Sequence, residues 1–138
     1  MHVDATQSPA LFRLASERLG GHYRHEWNHK VLTLIGTQGI VSQAVFTSIS
    51  PEVKFELTMW AKPAARGLGG RHFIRSIFQI GFIQWNCKRA TAITRASNAD
   101  AQRALIKLGF TFETPLRAWF GAEDGMCFYM LRHECRWI

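Results

Sequence analysis

Residues 53–73 read VKFELTMWAKPAARGLGGRHF, and the reading of this stretch decides the fold. Val53, Phe55, Leu57 and Met59 alternate with Lys54, Glu56, Thr58 and Trp60, the period of a strand with two distinct faces, and Glu56 and Trp60 share the second of them. The run ARGLGGRHF then places Gly67, Gly69 and Gly70 within four positions, flanked by Arg66 and Arg71. After it, Phe73, Ile74, Ile77, Phe78, Gly81, Phe82 and Trp85 form a broad apolar stripe, which predicts a helix of about four turns with one buried face. A glycine-rich turn between strand and helix exposes backbone N–H groups at the positive end of the helix dipole and lets an anion approach the main chain. Arg66 and Arg71 could add charge-assisted donors to such a site. A simple tight turn is the alternative. Neither a Walker loop nor a dinucleotide fingerprint fits, because counted from Gly67 both need glycine where His72 stands.

Downstream, RATAITR from Arg89 to Arg95 predicts a short strand, which after a strand, loop and helix gives the order of a parallel crossover. The next element has an N-cap at Asn98, Asp100 in its first turn, a stripe of Ala101, Ala104, Leu105 and Leu108, Lys107 in its last turn and Gly109 as its stop, which predicts a helix over 99–108. Two further strands are expected, from Phe110 through Glu113 and past Pro115 towards Phe120, and from Met126 to His133, separated by GAEDG. Upstream, SPALFRLASERL predicts an amphipathic helix with Ser8 as N-cap, Pro9 at its first position and Gly20-Gly21 as its stop. Lys30–Ile35 and Ile40–Thr47 read as strands joined in a hairpin through GTQG. The expected order is α, β, β, β, α, β, α, β, β.

A chain of 138 residues with a 47% hydrophobic fraction, ten Phe and five Trp predicts one α/β domain spanning residues 1–138. No apolar run approaches membrane-helix length, and MHVDATQSPA lacks the pattern of a signal peptide, so a soluble, intracellular protein is expected. Cys87, Cys127 and Cys135 match neither a disulfide framework nor a zinc spacing and are expected as buried thiols. The segment HYRHEWNH, with His22, His25 and His29, reads as a polar connection with solvated histidines, and no metal site is assigned. A formal charge of +7 favours a polyanionic partner, but the basic residues are scattered and carry no nucleic-acid-binding signature.

The motifs RGLGGR before a helix, SNADAQRALIKLGF after the next strand, and FETPLR with EDGMCFYMLRHECRW at the end resemble the GNAT superfamily of N-acetyltransferases, most closely its ribosomal-protein-acetylase-like members of bacteria and phages. The resemblance covers residues from about 53 to 138 and is topological over 8–52. It implies a mostly antiparallel sheet flanked by helices and splayed between the strand ending near Trp60 and that ending near Arg95, with acetyl-CoA as co-substrate in the gap. The implied cofactor contacts are backbone of Met59, Trp60 and Ala61 for the pantetheine arm, the loop of Arg66, Gly67, Leu68, Gly69, Gly70 and Arg71 for the pyrophosphate, and Asn98 for the arm or the helix start. Arg66 and Gly69 match the family's loop pattern, whereas Arg71 stands where the family has glycine or alanine.

The implied reaction is attack of a primary amine, on a protein N-terminus or a small molecule, on the thioester, with Glu56 as the base and Thr58 and Ser97 as supporting polar groups. Leu105 occupies the position where many family members place an acid tyrosine. A second reading is an inactive member of the fold with a structural or interaction role, for example in a phage particle, which would place the chain in a virion rather than the cytoplasm. The first helix, HYRHEWNH and residues 115–125 would form the acceptor surface, and Trp119, Phe120 and Trp137 could support self-association.

Overall fold

The computed structural model describes residues 1–65 and 67–138, with the backbone alone at residue 68. The chain opens with a three-residue strand, β1 (His2–Asp4), too short to show an alternating pattern and absent from the expected order. Helix α1 (Pro9–Leu19) begins where expected: Ser8 Oγ accepts from the Leu11 amide at 3.3 Å, and Gly20 ends the helix with φ 70°. A 3-10 turn over His25–Trp27 leads to β2 (Lys30–Gly36) and β3 (Gly39–Ser50), joined by the two-residue turn at Thr37 and Gln38. Then come β4 (Lys54–Ala61), α2 (Leu68–Phe78), β5 (Arg89–Arg95), α3 (Ala99–Leu108), β6 (Thr111–Leu116) and β7 (Gly125–Leu131). The strands form one seven-stranded sheet in the order β1–β2–β3–β4–β5–β7–β6, antiparallel throughout except for the parallel pair β4–β5.

Both faces of the sheet are covered. On one, Phe12 and Ala15 of α1 pack against Val31 and Val45, with Leu11, Leu19 and Tyr23 at the margin. On the other, Phe73, Ile77 and Phe78 of α2 and Leu105 of α3 join Leu34, Phe46, Phe55, Leu57 and Phe128 in the larger core. Cys87, Cys127 and Cys135 are buried free thiols. No helix among the described residues is long and apolar enough to cross a membrane.

Besides β3, which runs on to Ser50 past the expected Thr47, three elements have boundaries that differ from the sequence reading. Helix α2 starts at Leu68, inside the glycine run, and after Phe78 the chain widens into a π-helical turn over Gln79–Gln84. In that turn the Gly81 backbone lies on the Phe55 ring, where a Cβ would fall 2.2 Å from it, and Phe82 stacks on Phe78 at 5.8 Å. Strand β6 stops at Leu116, because Ala118 adopts φ 53° and Asp124 Oδ1 accepts from its amide at 2.8 Å, turning the chain well before Phe120. Strand β7 ends at Leu131, where Glu134 Oε1 accepts from the Leu131 amide at 2.9 Å and starts a 3-10 turn over Arg132–Glu134.

Candidate functional site

The parallel pair holds for only three residues a side: Lys54 opposite Arg89, Phe55 opposite Ala90 and Glu56 opposite Thr91. Beyond it each strand is held from its outer edge alone. Strand β4 stays in register with β3 up to Ala61 opposite Ser42, and β5 with β7 up to Arg95 opposite Gly125. The two halves of the sheet therefore part after Glu56 and Thr91, leaving the inner edges of residues 57–61 and 92–95 unpaired with each other. The Trp60 carbonyl accepts from Ser42 Oγ at 2.7 Å and the Lys62 amide donates to the Val41 carbonyl at 2.8 Å, so alternate residues 60 and 62 face β3. Met59 and Ala61, in the other phase of the strand, direct their N–H and C=O groups to the gap.

Helix α2 begins at the open end of this gap. Gly67 has φ 94°, a conformation that favours glycine, and turns the chain into the helix. The first intrahelical bond is donated by the Arg71 amide to the Gly67 carbonyl at 3.0 Å, so the N–H groups of residues 68–70 precede it. Gly70 is a matter of packing. A Cβ there would sit 1.8 Å from the Ala65 carbonyl oxygen, where the 3-10 turn Pro63–Ala65 folds over the helix start. Arg71 is a helix residue with an exposed side chain, and Arg66 and the side chain of Leu68 lie outside the described residues. Asn98 caps α3, its Oδ1 accepting from the Ala101 amide at 3.1 Å. Leu105 is buried in the larger core.

On the α1 face, the register sets Thr47, Glu56, Thr91 and Tyr129 across four adjacent strands. Glu56 belongs to none of the ion pairs among the described residues, whereas nearby Glu113 is paired to Arg89, one of the two bonds measuring 3.0 Å. Hydrogen bonding from Arg89 holds the Glu113 carboxyl below its usual range. Burial raises the Cys127 thiol, whose Sγ lies 3.7 Å from Glu113 Oε1, and the Glu113 carboxylate raises it further. Trp60 is fixed from two sides: its Nε1 donates to Gln43 Oε1 at 3.0 Å, and the Arg18 guanidinium lies 4.6 Å from its ring. Tyr23 packs between α1 and Val45, the residue opposite Thr58. Burial raises its phenol, the adjacent Thr58 hydroxyl acts in the other direction, and the Glu56 carboxylate raises it.

The structure thus brings Glu56, Met59 and Ala61 to one cleft, sets Thr58 beside Tyr23, and engages the Trp60 side chain and carbonyl in holding β4 to β3. Ser97 lies at the far end of β5, its amide donating to Glu123 Oε2 at 2.7 Å. Tyr23 belongs to the HYRHEWNH segment expected at the acceptor surface, and Thr94, which the sequence reading did not single out, has a buried Oγ1 with no hydrogen-bond partner among the described residues.

No protein-family model and no curated protein matches the chain. Solved structures do. A chimera of the spermidine N-acetyltransferase SpeG from Vibrio cholerae and hSSAT superposes with a TM-score of 0.73 at 15% identity, over 96% of this chain and 98% of that one. The chain has the GNAT fold. The spermidine/spermine N-acetyltransferase SpeG from Vibrio cholerae in complex with manganese ions superposes on the GNAT fold of this chain at 0.71 with 15% identity, over 95% of this chain and 92% of the other. A further structure, of a protein assigned as an acetyltransferase, matches at 0.68 with 23% identity, over 88% of this chain and 66% of its own. In this GNAT-fold chain the splay, the glycine-led helix and the Asn98-capped helix therefore stand in the arrangement that the resemblance implied.

Proposed function

We propose that the protein is an acetyl-CoA-dependent N-acetyltransferase acting on a primary amine. The observation that carries this reading is the parting of β4 and β5 after Glu56 and Thr91, with the N-terminus of α2 at the open end. The gap offers Met59 and Ala61 backbone groups to the amides of a pantetheine arm, as an added strand would meet them. The N–H groups of residues 68–70 suit its pyrophosphate, with open space over Gly67 and with Arg66 and Arg71 supplying charge. Acetyl-CoA bound there would present its thioester at the vertex of the splay. Glu56, free of an ion pair among the described residues, takes the ammonium proton directly or through water. The neutral amine attacks the thioester carbon, backbone donors meet the tetrahedral oxyanion, and its collapse breaks the C–S bond as the second nitrogen proton passes to solvent and the CoA thiolate takes one up. With Leu105 in the core, no tyrosine at that position supplies this proton, and solvent is its source.

The acceptor is a primary amine, on a protein N-terminus or on a small molecule; spermidine is the acceptor named for the SpeG structures. Calorimetric titration with acetyl-CoA, followed by mass spectrometry of amines incubated with both, tests the reading. One-to-one binding and an acetylated amine are expected, and no heat at millimolar acetyl-CoA overturns it. That outcome would leave the inactive, structural role as the use of this fold.

A further inference from the structure

We infer that the end of the sheet away from the splay carries a docking surface for an acidic peptide segment of another protein, one that presents a carboxylate beside an aliphatic side chain. The geometry behind it is a pair of cations held on one neutral oxygen. Lys88 Nζ and Arg132 Nη1 both donate to Asn86 Oδ1, at 3.1 and 3.0 Å, and Lys88 Nζ also donates to the Asn86 carbonyl at 2.9 Å. Their backbones are joined as well, the Arg132 amide donating to the Lys88 carbonyl at 3.0 Å and the Lys88 amide to the Val53 carbonyl at 2.9 Å. Neither cation belongs to an ion pair among the described residues. Glu134, on the adjoining turn, has its carboxylate on the Leu131 amide at 2.9 Å, and Glu52, whose amide donates to the Trp85 carbonyl, pairs with neither cation.

An amide oxygen satisfies donors but carries no net charge, so two positive charges stand side by side with no anion between them. Most of the guanidinium's N–H donors have no partner among the described residues, in the fork that fits a carboxylate. Local backbone builds this arrangement. Just past the π-helical turn, Asn86 adopts φ 53°, a left-handed conformation that asparagine tolerates better than most residues. The same turn leaves Ile83 52% exposed, and Ile138 is 43% exposed. With Leu131, Lys88, Arg132 and His133 they line an open groove of about 720 Å³, within the size range of ligand sites. A carboxylate set on Lys88 and Arg132 neutralises the pair, while a neighbouring leucine-sized side chain covers Ile83 and Ile138. Nucleic acid fits this groove poorly, because no phenyl or indole ring lines it for a base to stack on. The seven-residue length of β5, about 20 Å at ~3.3 Å per residue, separates this surface from the open end of the gap.

The test is fluorescence anisotropy of short labelled peptides with the full chain, one placing Glu beside Leu, one Glu beside Ser and one Lys beside Leu, together with a short single-stranded RNA. The Glu-Leu peptide is expected to bind, the Glu-Ser peptide about tenfold more weakly, and the Lys-Leu peptide not at all. Lys88→Gln, Arg132→Gln and Ile83→Ser are each expected to raise Kd for the Glu-Leu peptide about tenfold with Tm unchanged. Asn86→Gly keeps the left-handed backbone and every charge but frees the two cations from each other, and it too is expected to weaken binding, which a response to net charge alone would not produce. If Arg132→Gln lowers Tm, Lys88→Gln and Ile83→Ser decide. No binding of the Glu-Leu peptide at millimolar concentration, equal binding of the Glu-Ser peptide, or unchanged Kd in the variants overturns the proposal. RNA bound more tightly than the peptide, and lost in the same variants, overturns it as well and assigns the cations to phosphate. Each outcome is independent of whether the chain acetylates an amine.

Discussion

Glu56 and Thr91 face each other as the last pair in register between β4 and β5, and the sheet parts immediately beyond them. The carboxylate therefore sits at the vertex of the gap, on the face bearing α1 and outside the ion pairs among the described residues. Its partners there are hydroxyl-bearing residues, Thr47 and Thr91 across the ladders, rather than cations. A carboxylate in that setting can accept a proton without first giving up an ion pair.

Glu56→Gln keeps the shape of this side chain and removes its basicity. The expected outcome is a fall in kcat of about a hundredfold with acetyl-CoA affinity unchanged. Steady-state rates beside calorimetry of the same preparation check it. Equal losses in binding and turnover would show instead that Glu56 supports the sheet.

Gly70→Ala introduces a methyl group onto the Ala65 carbonyl oxygen, where 1.8 Å separates the positions. The 3-10 turn must move off the helix start, so stability falls by about 2 kcal/mol and acetyl-CoA binding weakens with it. Denaturant melts with and without acetyl-CoA measure both. By contrast Gly69→Ala meets only the flexible Met1 side chain, at 2.7 Å from its sulfur, and is expected to cost less.

Thr94→Val replaces a buried hydroxyl that lacks a partner among the described residues by an isosteric methyl group. The free protein is expected to gain about 1 kcal/mol. Thermal melts check the sign. If the variant also loses part of the stabilisation that acetyl-CoA gives wild type, Thr94 is a contact of the arm in the gap.

Asp4, Glu113 and Glu123 all have carboxyls held below their ordinary range, by hydrogen bonds from Thr6, Arg89 and Ser97 respectively. A depressed folded pKa means that the unfolded chain takes up protons first as pH falls. Their contribution is present in full above the ordinary values of 3.8 for Asp4 and 4.5 for the two glutamates, and is lost as pH falls through the lower folded values. These groups are solvent-exposed, so the effect is modest and weakens in salt. Tm is expected to be flat above about pH 5 and to decline below about pH 4, less steeply at high ionic strength.

Elements whose signals lie within a few residues were legible in order. Ser8 and Asn98 cap the helices they were expected to cap, and the turn at Thr37-Gln38 closes the hairpin that GTQG implied. The strand over 89–95 was expected from RATAITR, and its parallel partner followed from the crossover order. The start of α2 was misread because glycine is the poorest nonproline helix former, and here packing against Ala65 overrides that preference. That Tyr23 packs on the α1 face of the sheet was not legible, because the strand residues of that core, Val31 and Val45, lie outside its own stretch of chain.

The sequence by itself determined where α1 and α3 begin and end, which strand carries Glu56, and that a glycine run follows that strand ahead of a helix, since capping, alternation and turn chemistry act over one or two turns of chain. Only the tertiary structure decided that β4 and β5 part after three pairs. That divergence is set by β3 and β7, each holding one strand from outside, and by the twist accumulated across the sheet. It also decided that Gly70 serves packing, that Leu105 belongs to the core, and that a tyrosine from the connection after α1 packs on the face of the sheet that carries Val31 and Val45. Each of these depends on pairings between distant segments, which no local pattern encodes.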